Sequence, residues 1–130
     1  MMWERRALQV AVGFGSLVPI SAGLAGVILG PGLVDGSGAI DADSHFRYLS
    51  GLLLGIGLAY AASIPRIERR RGRFLLLTLI VMSGGFARLI SVAVLGLPSA
   101  AMLAALAMEL LVTPALAVWQ ARVARRSAPA

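Results

Sequence analysis

Apolar residues occupy most of this chain in four long stretches, and the polar residues fall into the short segments between them. The stretches run over about 7–34, 45–64, 74–95 and 100–123. A transmembrane helix requires roughly 20 mostly apolar residues, and each stretch is about that long. The pattern therefore predicts an all-α integral membrane protein, built as a four-helix bundle.

Helix-breaking residues separate the four stretches. The first ends in the Gly-Pro-Gly segment 30–32, the second stops at Pro65, and the third ends in Gly-Leu-Pro-Ser at 96–99. The loop 35–44 is rich in glycine and aspartate, and Asp43 or Ser44 can cap the helix that follows. Four helices and their loops use almost all of the 130 residues, so we expect a single domain over 1–130.

The first stretch shares features with a secretory signal peptide, because a charged segment precedes it and small residues lie at 21–23. Its apolar run is longer than the roughly 7–15 residues of a signal peptide. We therefore expect a retained helix, bent near its middle by Pro19.

Arginine, in a chain without lysine, lies almost entirely on one side of the predicted helices. Two arginines precede the first helix, five separate the second from the third, and three follow the fourth: Arg5, Arg6, Arg66, Arg69, Arg70, Arg71, Arg73, Arg122, Arg125 and Arg126. The opposite loops carry Asp35, Asp41 and Asp43. The positive-inside rule then puts both termini and the middle loop in the cytoplasm.

Composition supports a lipid environment and narrows the chemistry. Hydrophobic residues make up 58% of the chain and charged residues 14%, against about 25% charged residues in soluble domains. The net charge of +6 follows from the arginine segments, so we expect anionic lipid headgroups and no nucleic acid as their partners. There is no cysteine and His45 is the only histidine, so we predict no metal site and no cofactor.

Two ionisable residues lie inside the predicted spans. At a rise of about 1.5 Å per residue, Arg88 lies roughly 12 Å and Glu109 roughly 14 Å below the outer ends of their helices. Because a short loop joins these helices, we predict that the two side chains pair in the outer half of the bundle. An unpaired charge there costs at least about 2.5–3.5 kcal/mol. Such residues often mark functional sites, although an ion pair that only fixes helix register is the alternative.

Further polar groups are expected near the same depth. Ser91 lies one turn from Arg88, and Thr113 lies one turn from Glu109. Pro114 has no N–H to donate, which leaves the carbonyl of the residue four positions earlier without its usual partner.

The outer end of the second helix adds His45, Arg47 and Tyr48, and Asp43 can pair with Arg47 four positions later. Arg47 and Tyr48 could equally be interfacial anchors, and His45 a solvated interfacial residue. We expect an outward-facing polar pocket that binds an anionic ligand through Arg88, Arg47, Glu109, Tyr48, His45, Ser91 and Thr113. Glu109 is the candidate acid or base.

Small residues indicate close helix packing and a weak internal repeat. Gly51 and Gly55, or Gly26 and Gly30, have the four-residue spacing that lets helices approach. The segment 21–26 (Ser-Ala-Gly-Leu-Ala-Gly) aligns with 83–88 (Ser-Gly-Gly-Phe-Ala-Arg). The two helical hairpins can therefore be a tandem repeat with one orientation, although apolar sequences also match by chance.

Four segments together resemble a bacterial membrane-protein family catalogued as domain of unknown function 4345. They are 43–51 (Asp-Ser-His-Phe-Arg-Tyr-Leu-Ser-Gly), 84–91 (Gly-Gly-Phe-Ala-Arg-Leu-Ile-Ser), 96–99 and 108–114 (Met-Glu-Leu-Leu-Val-Thr-Pro). The resemblance covers roughly 7–122. It implies a small four-helix protein of the bacterial inner membrane and singles out Arg47, Arg88 and Glu109, but it implies no activity.

Three functions are compatible with these residues. The first is a module that binds a lipid or small amphiphile between its helices, or an accessory subunit of a larger membrane complex. The second is an intramembrane acid–base enzyme, such as an isomerase or cyclase of an isoprenoid-type substrate, that uses Glu109. The third, ranked last, is a proton-coupled exporter. A homodimer is compatible with the glycine-rich faces, and nothing in the sequence requires it.

Overall fold

The computed structural model describes residues 2–33 and 40–127, and every element in these ranges is helical. Five α-helices are present: α1 Met2–Leu29, α2 Ile40–Ala61, α3 Arg71–Leu95, α4 Ala100–Ala107 and α5 Thr113–Arg126. Short 3-10 segments cover Gly30–Leu33 and Ile64–Arg69. A π-helical turn at Met108–Val112 joins α4 to α5, so Ala100–Arg126 is one continuous helical segment.

The helices extend beyond the apolar stretches that predicted them. The predicted starts at 7, 45 and 74 are too late, because α1 begins at Met2, α2 at Ile40 and α3 at Arg71. The predicted end of the second helix at 64 is too late, since α2 ends at Ala61, and the predicted end of the fourth at 123 is too early. Hydropathy finds only the apolar part of a helix, whereas polar terminal turns are helical too. The predicted end of the first helix at 34 and the predicted loop residues 35–39 lie outside the described residues.

Three helical segments are long and apolar enough to cross a membrane: Met2–Leu29, Arg71–Leu95 and Ala100–Arg126. Many of their large apolar side chains are exposed, among them Phe14, Ile90 and Val118, each about two-thirds or more exposed. Such a surface is consistent with a membrane protein. α2 is less apolar because its first turns carry Asp43 and Arg47, so the fourth span stays a prediction.

The chain forms two compact units. The N-terminal unit is Val10–Ile64, and the C-terminal unit combines the described residues of 1–9 with those of 65–130. Pro19, where the sequence predicts a bend, lies inside α1, and the helix continues on both sides of it.

Within the N-terminal unit, α1 and α2 pack through small residues. A Cβ on Gly23 would lie 2.7 Å from the carbonyl oxygen of Ser50, and a Cβ on Gly26 would overlap the Ser50 side chain. Gly57 of α2 makes a similarly close approach to Ile20. Of the four glycines that the spacing predicted, Gly26 therefore does bring two helices together, whereas a Cβ on Gly55 would meet open space.

Within the C-terminal unit, a small apolar core holds four helical segments together. Its buried side chains come from the start of α1, the 3-10 segment, α3 and α5: Leu8, Ile67, Phe74, Leu77 and Val123. The buried Gln120 donates from Nε2 to the carbonyl oxygen of Ile67 at 2.7 Å. Two ion pairs complete this end, Arg5 with Glu68 at 3.0 Å and Arg126 with Glu4 at 2.8 Å.

The packing of α1 on α2 predicts opposite effects for two glycine substitutions. Gly23→Ala is expected to lower the free energy of unfolding by about 1–3 kcal/mol, because the new methyl group meets backbone atoms that cannot move aside. Gly55→Ala, which adds the same group in open space, should be neutral or stabilise by about 0.4–1 kcal/mol. Thermal unfolding of both variants in one detergent measures the difference, and equal melting temperatures would contradict this packing.

Candidate functional site

Arg88 of α3 and Glu109 of the π turn form the ion pair that the sequence predicts. Arg88 Nε donates to Oε2 of Glu109 and Nη2 donates to Oε1, both at 3.1 Å. This is a two-bond arrangement, in which one edge of the guanidinium matches the carboxylate. The predicted pairing is confirmed, whereas binding or catalytic roles for these residues stay predictions.

The other edge of Arg88 has a weaker partner. Nη1 donates to Sδ of Met102 at 3.1 Å, and a thioether sulfur is a weak acceptor. A guanidinium has five N–H donors, and three of them are used here by described residues. The side chain of Arg88 is 35% exposed, against 18% for Glu109. The pair is thus partly covered, and two donors of Arg88 remain for another acceptor.

A glycine allows α3 and the Ala100–Arg126 segment to approach at this pair. A Cβ on Gly85 would lie 2.8 Å from Cδ2 of Leu110 and 3.0 Å from Cβ of Glu109. The connection is short because Gly96 ends α3 at a φ of +95°, and the Ser99 hydroxyl accepts a hydrogen bond from the N–H of Met102 at the start of α4. Gly84, the neighbour of Gly85 in the chain, has open space around its Cβ position.

The π turn places Glu109 on the side of the helix that faces Arg88. The N–H of Thr113 donates to the carbonyl oxygen of Met108, five residues earlier, and the Thr113 hydroxyl donates to the same oxygen at 2.8 Å. Pro114 follows directly, and in an α-helix its ring would clash with the carbonyl four residues earlier. Widening the helix by one residue relieves that clash. The hydroxyl of Thr113 is therefore engaged in the turn.

An apolar groove with a volume of about 310 Å³ lies in the same unit. It is lined by Leu89, Leu103, Leu106, Ala107, Leu110 and Leu111. Leu89 follows Arg88 in the chain, and Leu110 follows Glu109. The groove therefore borders the helical turns that carry the ion pair.

Arg47 lies in the N-terminal unit, where it closes the C-terminal end of α1. It pairs with Asp43 through Nε at 2.8 Å, as the four-residue spacing predicts, and through Nη2 at 3.3 Å. Its Nη1 donates to the carbonyl oxygens of Val27 and Ile28 at 2.8 and 3.1 Å. A cation at this position satisfies the last carbonyls of a helix and opposes its dipole.

Close contact with Arg47 requires glycine at position 30. Gly30 has a φ of +65°, and a Cβ there would lie 2.6 Å from Nη2 of Arg47. Four of the five guanidinium donors of Arg47 are thus occupied within its own unit. Asp43, which the sequence offered as a cap, lies inside α2.

The remaining predicted binding residues are exposed. His45 and Tyr48 lie on α2 in the N-terminal unit, and Ser91 lies one turn beyond Arg88 on α3. The structure therefore brings together Arg88, Glu109 and the turn held by Thr113 within one unit. A binding role for the other predicted residues stays a prediction.

Sequence reasoning missed three contributors to this site. The tight contact of Gly85 was not predicted, because spacing alone does not say which of the neighbouring glycines 84 and 85 faces the next helix. Met102 was not among the predicted binding residues, and its sulfur accepts a hydrogen bond from Arg88. The π turn had one signal, which is the proline directly after a threonine in a helix that also carries an acid.

Pro114→Ala is expected to separate the ion pair. Alanine restores an N–H and removes the ring, so the π turn can return to α-helical geometry. That change rotates Glu109 by about 100° around the helix axis, because an α-helix has about 3.6 residues per turn. Nitrogen-15 NMR in detergent should then show the Nε–H of Arg88 exchanging with water as fast as it does in Glu109→Gln.

Arg47 supplies the internal control for that experiment. Its Nε–H is bonded to Asp43 in the other unit. Its exchange rate should therefore stay at the wild-type value in Pro114→Ala and in Glu109→Gln. An unchanged Arg88 resonance in Pro114→Ala would mean that proline does not hold the π turn in place.

Among the comparisons with known proteins, one family model matches this chain. Neither the curated proteins nor the solved structures give a match to this chain. The family model for the domain of unknown function DUF4345 matches residues 7–120, which include α3, the π turn and both residues of the ion pair. This chain therefore belongs to the DUF4345 family.

Proposed function

We propose that this protein binds the anionic headgroup of a lipid or small amphiphile at Arg88. The observation that carries the proposal is the unequal pairing of the two edges of its guanidinium. One edge is held by both oxygens of Glu109, whereas the other reaches only the sulfur of Met102. A carboxylate or phosphate oxygen is a much stronger acceptor than a thioether, so a headgroup would displace that sulfur.

The apolar groove supports an amphiphile over a small polar ion. All six residues that line it are leucine or alanine, and its volume of about 310 Å³ lies at the lower end of ligand pockets, which is roughly 300 Å³. A hydrocarbon chain would fill such a groove. Leu89 lines the groove and directly follows Arg88, so the headgroup of the same molecule would lie near Arg88. Glu109 then fixes the orientation of the guanidinium, and Arg88 is free to bridge two acceptors.

An acid–base enzyme that uses Glu109 is the second candidate. It is favoured by the π turn, because π-helical turns often occur at functional sites. Both oxygens of Glu109 accept hydrogen bonds from Arg88, however, so a substrate would have only the remaining lone pairs of the carboxylate to use. Full turnover of an identified substrate by Glu109→Gln would exclude this candidate.

The proposed setting is the bacterial inner membrane, crossed by four helices with both termini in the cytoplasm. The three long apolar helices and the arginines near 5, 66–73 and 122–126 support it. The proposed tandem repeat gains support from each unit taken by itself. Gly23 and Gly85 occupy equivalent positions of the aligned segments, and each is the point where its helix touches the next.

Cysteine labelling of a chain without native cysteine tests the topology. With a membrane-impermeant maleimide on intact cells, Leu97→Cys should react because the loop between α3 and α4 is proposed to face outward. Ser127→Cys should react only after the membrane is permeabilised. Labelling of Ser127→Cys in intact cells would reverse the proposed orientation, and the unmodified chain serves as the blank.

Native mass spectrometry of the gently solubilised protein tests ligand binding. The wild type should carry a specific bound mass, and Arg88→Met and Glu109→Gln should both lose it. Each single variant leaves one charge without its partner, so some loss of stability is expected as well.

The double variant Arg88→Met/Glu109→Leu separates binding from stability. Replacing an ion pair by apolar residues is often neutral or stabilising, so this variant should fold at least as well as the wild type. It should nevertheless carry no ligand. If the wild type binds nothing and the double variant behaves like it in every assay, the pair is a structural element and the proposal fails.

A further inference from the structure

The C-terminal unit carries a second charged surface, which is separate from the ion pair. Ten arginines and two glutamates belong to the start of α1, the segment 64–73 and the end of α5. Both glutamates are already paired, Glu68 with Arg5 and Glu4 with Arg126. We name the other eight arginines the arginine cluster: Arg6, Arg66, Arg69, Arg70, Arg71, Arg73, Arg122 and Arg125.

No member of the arginine cluster forms an ion pair with a side-chain carboxylate among the described residues. Seven of the eight are exposed, and Arg70 is half-buried. The cluster therefore presents an excess of eight positive charges without internal compensation. Its guanidinium groups have donors to offer to an external anion.

Structural contacts draw the three segments of the cluster to one end of the unit. The Arg5–Glu68 pair joins α1 to the 3-10 segment, and Arg126–Glu4 joins α5 to α1. The buried hydrogen bond from Gln120 to the carbonyl of Ile67 joins α5 to the 3-10 segment. The arginines are thus held on a folded surface rather than on a loose tail.

We propose that the arginine cluster binds the phosphate headgroups of anionic phospholipids. The three segments are the ends of the three helices that are apolar enough to cross a membrane, so the cluster lies at the level of the headgroups. Both tryptophans of the chain are at this end, with Trp3 in the first turn of α1 and Trp119 in α5. Tryptophan is enriched at the membrane–water interface, which favours lipid over nucleic acid as the anion. The inference rests on the proposed membrane setting and is independent of the ligand at Arg88.

The two tryptophans are also the reporters for the test. The full chain is reconstituted in bilayers that mix phosphatidylglycerol with phosphatidylcholine, with either lipid brominated, and the quenching of tryptophan fluorescence gives their relative affinity. One arginine near an anionic surface contributes roughly five-fold. We therefore expect a preference for phosphatidylglycerol of at least about five-fold, which falls when salt is raised to about 1 M because screening shortens the Debye length to about 3 Å.

A matched pair of triple variants isolates the charge. Arg69→Gln/Arg70→Gln/Arg71→Gln should lower the preference at least several-fold, whereas lysine at the same three positions should retain most of it. Equal quenching by both lipids in the wild type, or an unchanged preference in the glutamine variant, would overturn the proposal. Loss of the preference on adding duplex DNA at equal phosphate concentration would instead assign the cluster to nucleic acid.

Labelling of Ser127→Cys in the same bilayers distinguishes a failure of this inference from a failure of the proposed topology. A chain in the proposed orientation that shows no lipid preference refutes only the headgroup site. Native mass spectrometry of the glutamine variant should still find the ligand at Arg88, because none of its three substituted residues contacts the ion pair.

Discussion

The contact between Arg88 and Glu109 is the interaction on which the C-terminal unit is organised. Two charges lie on helical segments whose other side chains are largely apolar, and neither charge is tolerated there without the other. Their pairing demands that two helices come close, and Gly85 provides the space. It also demands that Glu109 face α3, and the π turn before Pro114 provides that rotation. Packing and helix geometry here both serve one electrostatic requirement.

The pairing of Arg88 with Glu109 was predictable from the sequence, whereas the π turn that turns Glu109 toward Arg88 was not. Counting residues from the breaker segment 96–99 gives similar depths for Arg88 and Glu109, because rise per residue is nearly constant in a helix. The direction of a side chain around the helix depends on every residue between, and a π turn adds one. The helix ends were missed for a different reason. Terminal turns such as those at Met2 and Ile40 are polar, and a hydropathy pattern does not distinguish them from loops.

Arg47 and Arg88 gave the same signal in the sequence and have different surroundings in the structure. Each is a cation in a mostly apolar helix, and each was expected to bind an anionic ligand. Arg47 donates to two main-chain carbonyls of α1 as well as to Asp43. Sequence patterns cannot reveal such a partner, because every residue has a carbonyl and only the fold decides which ones meet a guanidinium. This difference is why the proposed ligand is assigned to Arg88.

The proposed repeat suggests how such a site can arise on an ordinary helical hairpin. Aligning 21–26 with 83–88 matches Gly23 with Gly85 and Gly26 with Arg88. In the N-terminal unit both glycines let α1 lie against Ser50 of α2, so the contact is made by uncharged groups. In the C-terminal unit the first glycine keeps that role, while an arginine stands where the second would be. A charge at that position needs an acid on the facing helix, and Glu109 supplies it. The same helix contact therefore accounts for a purely structural seam in one unit and for a guanidinium with free donors in the other.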